Sequence, residues 1–258
     1  MIDVGPFAGD PAAWDRFVDA APDAVFFQRS GWRRVLAGEF GFASRDLVAM
    51  RDGAIVGVLP LCEVPLGGGR HCWLSQPFAV EAGVCTADAA AAAALAAAAV
   101  DRARTAGVDY VELRDGRSGD GYVAREDRYA TFRGALPADE AAHWAALPRK
   151  RRRMIRLARE RGLEARTGVA DLEAFHDLHA RSLRRLGSPV FPRSYFARLV
   201  REFPSETLLL TVCHRGEPVA AALSFVFRGT LLPYYAGSSA AAPALAANDF
   251  LYWELMCR

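Results

Sequence analysis

The sequence has little net charge, a single lysine and no long apolar segment. The formal net charge of the 258 residues is +2, so an anionic partner would have to bind a local basic patch. Lys150 is the only lysine, and arginine therefore supplies nearly all the positive charge. The longest run of low polarity, residues 89–100, is mostly alanine, and it is shorter than the roughly 20 apolar residues of a transmembrane helix.

Cysteine is also scarce, and no two cysteines form a CxxC pair. An odd number of widely spaced cysteines, here 5, is typical of reduced thiols rather than of a disulfide framework. The first residues lack the basic and apolar regions of a signal peptide. With 52% hydrophobic and 24% charged residues, the composition excludes disorder along the whole chain. We therefore expect a globular protein of the cytoplasm.

The order of predicted elements repeats along the chain, at a spacing of roughly 160 residues. This is a similarity of element order and not of residues, and it predicts two copies of one fold. The predicted elements of the first half are helices at 11–20 and 30–39, strands at 47–50, 54–64 and 72–75, a helix at 87–106, and strands at 108–113 and 129–136. Those of the second half are helices at 171–186 and 192–203, strands at 207–214, 218–227 and 230–236, and a helix at 243–256.

The densest charge lies in residues 148–162, PRKRRRMIRLARERG. Wound as a helix, this segment gathers its arginines within an arc of about 120°, and the apolar side chains take the opposite side. Such a face suits the phosphates of tRNA, of a nucleotide-linked substrate or of an anionic lipid surface. The alternative is a solvated helix between two domains. We take Arg152, Arg153 and Arg156 as candidate substrate contacts.

A second candidate region ends the last predicted strand, in the segment LPYYAGSS. Backbone N–H groups at small residues before a helix can hold an anion or a developing oxyanion, which makes Gly237 and Ser238 candidate contacts. Side chains alternate along a strand, so Tyr234 and Tyr235 are expected on opposite faces. We expect Tyr235 to be catalytic and Tyr234 to contact the substrate.

The helix that follows contains an Asn-Asp pair in an otherwise apolar stretch, ANDFLYWELM. Asn248 and Tyr252 share one side of this helix, and Asp249 lies on an adjacent side. A carboxylate at this position can contact the substrate or act as a general base. Asp249 is therefore a candidate catalytic residue, and Asn248 and Tyr252 are candidate substrate contacts. The alternative is a first turn that simply faces solvent.

Three further motifs have more ordinary interpretations. Residues 67–70, GGGR, lie between two strands, whereas a phosphate loop leads from a strand into a helix, so we predict a hairpin turn. His176 and His179 are three residues apart on a helix without a further ligand cluster, and we predict no metal site. Ser75 lacks the glycine pattern of an esterase nucleophile, which argues against a nucleophilic triad.

Six segments of the sequence form a pattern that covers nearly the whole chain. They are GVLPL at 57–61, SQPF at 75–78, KRRRMIRLA at 150–158, LGSPVFP at 186–192 followed by Tyr195-Phe196, PYYAGS at 233–238 and ANDFLYW at 247–253. In this order and spacing they resemble the FemAB-like proteins associated with the PEP-CTERM/exosortase system, a branch of the FemABX superfamily.

The resemblance implies an α/β (α+β) chain of two tandem GNAT-like domains, with mixed, mainly antiparallel sheets flanked by helices. We place the first domain at 1–137, a linking cationic helix at 138–168 and the second domain at 169–258. Members of this branch usually continue into closing strands. The resemblance therefore also implies a chain truncated at its C-terminus, with an unpaired edge on the strand at 230–236.

In function, the resemblance implies transfer of an aminoacyl or acyl group to an amine on a cell-envelope or exopolysaccharide precursor, without a covalent enzyme intermediate. The expected donor is aminoacyl-tRNA or acyl-CoA. CoA-dependent GNAT domains usually have Arg/Gln-x-x-Gly-x-Gly/Ala before the crossover helix. Residues 76–83 break that spacing, and residues 236–240 lack the leading Arg or Gln.

Because neither loop has the usual CoA-binding pattern, we favour aminoacyl-tRNA as the donor, with the cationic helix as its phosphate contact. The same helix is also a candidate for peripheral contact with the membrane. Two alternatives stay open. The first is a CoA-dependent N-acyltransferase in polysaccharide assembly, and the second is a non-catalytic protein that binds a precursor.

Overall fold

The computed structural model describes residues 1–115, 121–125 and 130–258. They form two compact units of mixed α/β structure, Met1–Tyr129 and Ala130–Arg258. The predicted strand at 129–136 is not formed by residues 130–136, and Tyr129 lies outside the described residues.

In the first unit, the described helices pack against antiparallel strands. The helices are α1 (Pro11–Ala20), α2 (Ser30–Phe40) and α3 (Ala89–Ala106). The strands are β1 (Asp3–Pro6), β2 (Ala43–Ser44), β3 (Leu47–Arg51), β4 (Ala54–Leu59), β5 (Cys62–Gly67), β6 (Arg70–Leu74) and β7 (Val111–Glu112).

The strand predicted at 54–64 is two strands in the structure, separated at Pro60, which has no N–H to donate to a sheet ladder. One sheet has the order β1-β3-β4, and the other has the order β2-β5-β6-β7, in which only β6 and β7 pair in parallel. Helix α3 covers the strands with a stripe of small and aliphatic side chains, including Ala91, Leu95 and Ala99. The three glycines at 67–69 form the β5–β6 hairpin turn, as predicted.

The second unit has one sheet with helices on both faces. Its helices are α4 (Glu140–Ala146), α5 (Arg149–Glu160), α6 (Leu172–Leu186), α7 (Arg193–Glu202), α8 (Ala242–Leu245) and α9 (Ala247–Met256). Its strands are β8 (Leu163–Thr167), β9 (Thr207–His214), β10 (Glu217–Phe227) and β11 (Thr230–Ser238). The sheet is antiparallel in the order β11-β10-β9-β8, so β11 lies at its edge in the described part of the unit.

Alternation along the strands separates the two faces of this sheet. Ala220 and Ala222 of β10 pack against α5 and α9, in a core that includes Trp253. Leu223 is the register partner of Tyr235, whose ring packs against α6 and α7 on the other face. Each face of the sheet is therefore covered by its own pair of helices.

The predicted C-terminal helix at 243–256 is broken in the structure. Ala246 adopts a left-handed conformation with φ of 57°, and it separates the short helix α8 from α9. An alanine in this conformation is uncommon, and nothing in the composition of the segment marks the position.

The segment at 138–168 packs as part of the second unit. Helix α5 lies against α9 and β8, and its buried residues Ile155 and Ala158 belong to the same core as Trp253. The amphipathic pattern of α5 is as predicted, and its apolar side is built into the unit. No helix in the described ranges is both long enough and apolar enough to cross a bilayer.

Candidate active site

Strand β11 contains a bulge at its two tyrosines. Leu223 is opposite Tyr235 and Ser224 is opposite Pro233, so Tyr234 is an extra residue without a register partner on β10. The ring centroids of Tyr234 and Tyr235 are 4.8 Å apart, and that of Tyr234 lies 5.9 Å from the ring of Phe225. The prediction that the two tyrosines face opposite sides is therefore wrong. A bulge re-aims a side chain in this way, and bulges are enriched next to active sites.

Tyr235 is buried in contact with a second tyrosine from helix α7. The phenol oxygens of Tyr195 and Tyr235 are 2.9 Å apart. Burial raises the pKa of both phenols well above the ordinary value for tyrosine. Both hydroxyls therefore keep their protons at neutral pH and do not serve as phenolate bases. One hydroxyl donates to the other, which leaves the pair one further O–H to donate. Tyr195 was not identified as a candidate from the sequence.

His179 of helix α6 lies beside this tyrosine pair. Its Nδ1 is 2.8 Å from the carbonyl oxygen of Ala236 on β11. Its ring stacks on Phe175 at 5.6 Å and meets the ring of Tyr235 edge-on at 5.9 Å. Desolvation lowers the pKa of His179, so the imidazole is neutral at physiological pH. The sequence predicts no metal site at this histidine and indicates no other role for it.

The outer edge of β11 is covered by side chains of α6. Ser238 donates its N–H to the hydroxyl of Ser182 at 2.9 Å, and its carbonyl accepts from Arg185 at 2.8 Å. The N–H that was expected to bind an oxyanion is thus bonded within the protein. A Cβ at Gly237 would collide with the backbone nitrogen of His179, so this glycine permits the close approach of α6.

The candidate residues on α9 lie on the other side of the sheet from Tyr235. Asp249 forms an ion pair with Arg151 of α5, with 2.6 Å between Oδ1 and Nη1. Asn248 and Tyr252 are exposed. In the described residues no hydrogen bond or ring contact joins Asp249 to Tyr235. The structure therefore does not bring the two predicted catalytic residues together.

The cationic face of α5 divides into two parts. Arg156 and Arg159 lie over the ring of Trp144, with the guanidinium carbons 5.5 and 5.8 Å from its centroid. Arg152 is half-buried, and its Nε has no hydrogen-bond partner in the described part of the chain. Lys150 and Arg153 are exposed. Arg156 and Arg159 are exposed as well, so cations accessible to an anionic ligand lie along the whole of α5.

In the first unit, the SQPF segment at residues 75–78 forms a loop with a constrained backbone. Gln76 and Phe78 adopt left-handed conformations with φ of 56° and 65°. Gln76 is fully buried, its Oε1 is 3.5 Å from the sulfur of Cys62, and its Nε2 lacks a partner among the described residues. Such backbone strain persists only where the surrounding structure enforces it. The packing around Gln76 therefore holds this loop in a strained conformation.

Metal ligation has no structural support in the described ranges, which contain no group of three or more ligating side chains suited to a metal ion. His176 and His179 point to different partners. The Nε2 of His176 is 3.1 Å from the carbonyl oxygen of Phe191, whereas His179 binds Ala236. The pair is used to fasten α6 to its neighbours.

Two consecutive α/β units, the second with an antiparallel sheet, a bulged edge strand and helices on both faces, define the tandem GNAT fold. Residues 146–258 match the family model described as acetyltransferase (GNAT) domain. No curated protein sequence matches the chain.

Solved structures with the same fold cover both units. The chain is similar to the crystal structure of FemX at 15% identity with a TM-score of 0.74, over 98% of this chain and 85% of that one. It is similar to a conserved protein from Bacteroides thetaiotaomicron at 13% identity with a TM-score of 0.56, over 100% of this chain and 86% of that one. It is also similar to a tandem GNAT protein from the clavulanic acid biosynthesis pathway at 14% identity with a TM-score of 0.50, over 99% of this chain and 85% of that one. At these identities the likeness establishes the fold.

Proposed function

We propose that the protein is an acyltransferase of FemAB type, which transfers an aminoacyl or acyl group to an amine on a cell-envelope or exopolysaccharide precursor. The observation that carries the proposal is the match of residues 146–258 to an acetyltransferase (GNAT) domain, in a chain whose fold follows that of FemX. The bulged strand β11 supports it, because the bulge directs two tyrosines to one place at the sheet edge.

The proposed chemistry is direct attack of the amine on the acyl carbonyl of the donor. The C–N bond forms, the bond from the carbonyl carbon to the donor sulfur or oxygen breaks, and one proton passes from the amine to the leaving group. The chain has to align the two reactants, stabilise the oxyanion and transfer this proton. Tyr195 and Tyr235 remain protonated, and since one hydroxyl donates to the other, the pair has one further O–H for developing negative charge.

We propose aminoacyl-tRNA as the donor. The loop after β11 lacks the leading Arg or Gln of a pyrophosphate cradle, and the N–H of Ser238 is occupied by Ser182. A polynucleotide can instead be held by arginines and lysine outside this loop. Lys150 and Arg153 on α5 are exposed and suit that contact.

Acyl-CoA is the alternative donor, and one specific observation favours it. The family model that matches the second unit is described as an acetyltransferase domain. In that case the CoA phosphates would bind a basic surface of this unit rather than a glycine-rich loop.

The acceptor and the cellular setting rest on the sequence resemblance alone. That resemblance points to the PEP-CTERM/exosortase branch and hence to an exopolysaccharide or envelope precursor, handled in the cytoplasm. The same exposed cations of α5 would allow peripheral contact with an anionic bilayer, where the precursor is anchored.

A panel of ligands in a thermal-shift experiment tests the proposal. The full chain is heated alone and with alanyl-tRNA, uncharged tRNA, acetyl-CoA or UDP-linked precursors. A ligand at 100 times its Kd stabilises the folded protein by about 2.7 kcal/mol, which is a clear rise in Tm. We expect alanyl-tRNA and a precursor to raise the Tm. A shift with acetyl-CoA instead of tRNA would establish the alternative donor, and a shift with precursors alone would indicate a non-catalytic binding protein.

A further inference from the structure

The tautomer of His179 follows from its hydrogen bond. A carbonyl oxygen can only accept, so the Nδ1 that lies 2.8 Å from the Ala236 oxygen must bear the proton. In the neutral ring, Nε2 then has a free lone pair. Nε2 makes no hydrogen bond within the described residues, and it is not among the buried nitrogen atoms that lack a partner. Nε2 is therefore an unbonded acceptor that reaches the surface of a residue that is only 6% exposed.

The orientation of this ring is held from three sides. Phe175 stacks against one face at an interplanar angle of 11°, and Phe196 meets the ring edge-on at 5.6 Å. On the third side, the carbonyl oxygen of Ala236 on β11 accepts a hydrogen bond from Nδ1. A neutral imidazole with a fixed tautomer and an open Nε2 has the arrangement of a general base.

We propose that His179 is the general base that takes the proton from the attacking amine. The inference rests on the proposed acyl transfer, and it assigns a role to a residue for which the sequence pattern predicts no catalytic function.

The proposed step balances without any further reactant. The amine nitrogen forms a bond to the acyl carbon, and its surplus proton passes to Nε2 of His179. The carbonyl is restored as the bond to the donor sulfur or ribose oxygen breaks. The proton on Nε2 then passes to that leaving group, and His179 returns to its neutral form.

Few ionisable groups oppose or assist this role. On α6 itself, His176 acts on His179 through its charge, and Arg185 lies further along at Ser238. Tyr235 meets the ring from β11, and it is itself in contact with Tyr195 of α7 and with Tyr234. Tyr195 and Tyr235 keep their protons because burial raises the pKa of both phenols, so neither competes as an anionic base.

The test replaces His179 by asparagine in the full chain. An asparagine amide can donate to the Ala236 carbonyl as Nδ1 does, but it has no basic nitrogen. The matched control is His176→Gln on the same helix, which can keep a donor at the position of Nε2 towards Phe191. Transfer from alanyl-tRNA and from acetyl-CoA is measured between pH 5 and 9.

With the donor that the wild type uses, His179→Asn should lower kcat by about 100-fold or more and abolish the acid limb of the pH profile. The His176→Gln control should keep the wild-type kcat and the acid limb of the pH profile. If His179→Asn retains wild-type kcat and the acid limb, the inference is overturned while the acyl transfer stands. If the wild type transfers from neither donor, the proposed function fails first.

A second measurement does not depend on activity. Nitrogen-15 spectra of the imidazoles at pH 7 should show a His179 resonance pair with Nδ1 protonated and Nε2 unprotonated, absent from His179→Asn. A proton on Nε2 instead would overturn the inference whatever the activity.

Discussion

The hydroxyls of Tyr195 and Tyr235 form a hydrogen bond of 2.9 Å in the interior of the second unit. The bond joins helix α7 to the bulge of β11, and it holds Tyr235 beside His179. Its two partners are 40 residues apart in the chain, so it also fixes how α7 packs on the sheet.

This bond predicts a strong coupling between the two tyrosines. Tyr195→Phe and Tyr235→Phe should each lower the free energy of unfolding by about 1–2 kcal/mol, because each removes the hydrogen-bond partner of a buried hydroxyl. The double variant should lose less than the sum of the two. Chemical denaturation of the four proteins measures the coupling, and additive losses would mean that the two hydroxyls act independently.

The lowered pKa of His179 predicts acid sensitivity. A histidine that stays neutral in the folded state takes up a proton more readily when unfolded, so the unfolded state binds more protons as the pH falls below about 6.5. Stability at neutral pH should therefore be lost on acidification from pH 7 to 5.5, by at most about 1.4 kcal/mol per pH unit.

In His179→Asn the free energy of unfolding should depend less steeply on pH over the same range. His176→Gln is the reference for removing a histidine from α6. Denaturant unfolding at each pH gives the slopes. Parallel curves for the wild type and His179→Asn would contradict the desolvated position of this imidazole.

The close approach of α6 to Gly237 predicts that no side chain larger than that of glycine fits at this position. Gly237→Ala would place a methyl group against the backbone of His179, which cannot rotate away, so the second unit should lose about 1–3 kcal/mol. Gly134→Ala is the control in the same unit, because a Cβ there meets nothing within 4 Å. Equal stabilities of the two variants would show that α6 is not packed tightly on β11.

The exposed cations of α5 predict a salt-dependent affinity for tRNA. Lys150→Glu with Arg153→Glu should weaken binding of uncharged tRNA and reduce the slope of log K against log salt by roughly 0.7 to 0.9 for each lost phosphate contact. The control reverses the charge of Arg201 and Arg215, which are exposed elsewhere on the unit. Fluorescence anisotropy over a potassium chloride series decides the result, and identical slopes in the two variants would leave α5 without a role in phosphate binding.

Much of the fold was predictable because local signals agree. Asp88 caps α3 by accepting from the N–H groups of Ala90 and Ala91, and Gly107 ends the helix in a left-handed conformation. The Arg215-Gly216 and Arg228-Gly229 turns have positive φ at both residues, as tight hairpins require. Such signals depend on a few adjacent residues, so a single sequence contains them.

The site was less predictable because its geometry depends on long-range packing. The bulge at Tyr234 arises from the pairing of β11 with β10, and no local sequence pattern predicts it. His179 meets Ala236 only because Gly237 lets α6 approach the strand. Tyr235 was correctly placed near the strand end, but the partner that holds it, Tyr195, lies in another helix.

Direct detection of the transferred group tests the central claim, that the second unit catalyses acyl transfer to an amine. The full chain is incubated with radiolabelled alanyl-tRNA or acetyl-CoA and a UDP-linked envelope precursor bearing a free amine, and the amide product is separated and counted. We predict labelled product with one donor, at a rate that falls by about 100-fold or more in His179→Asn. Donor and precursor that both bind, yet give no product above the rate without protein, would contradict the claim and leave a precursor-binding protein.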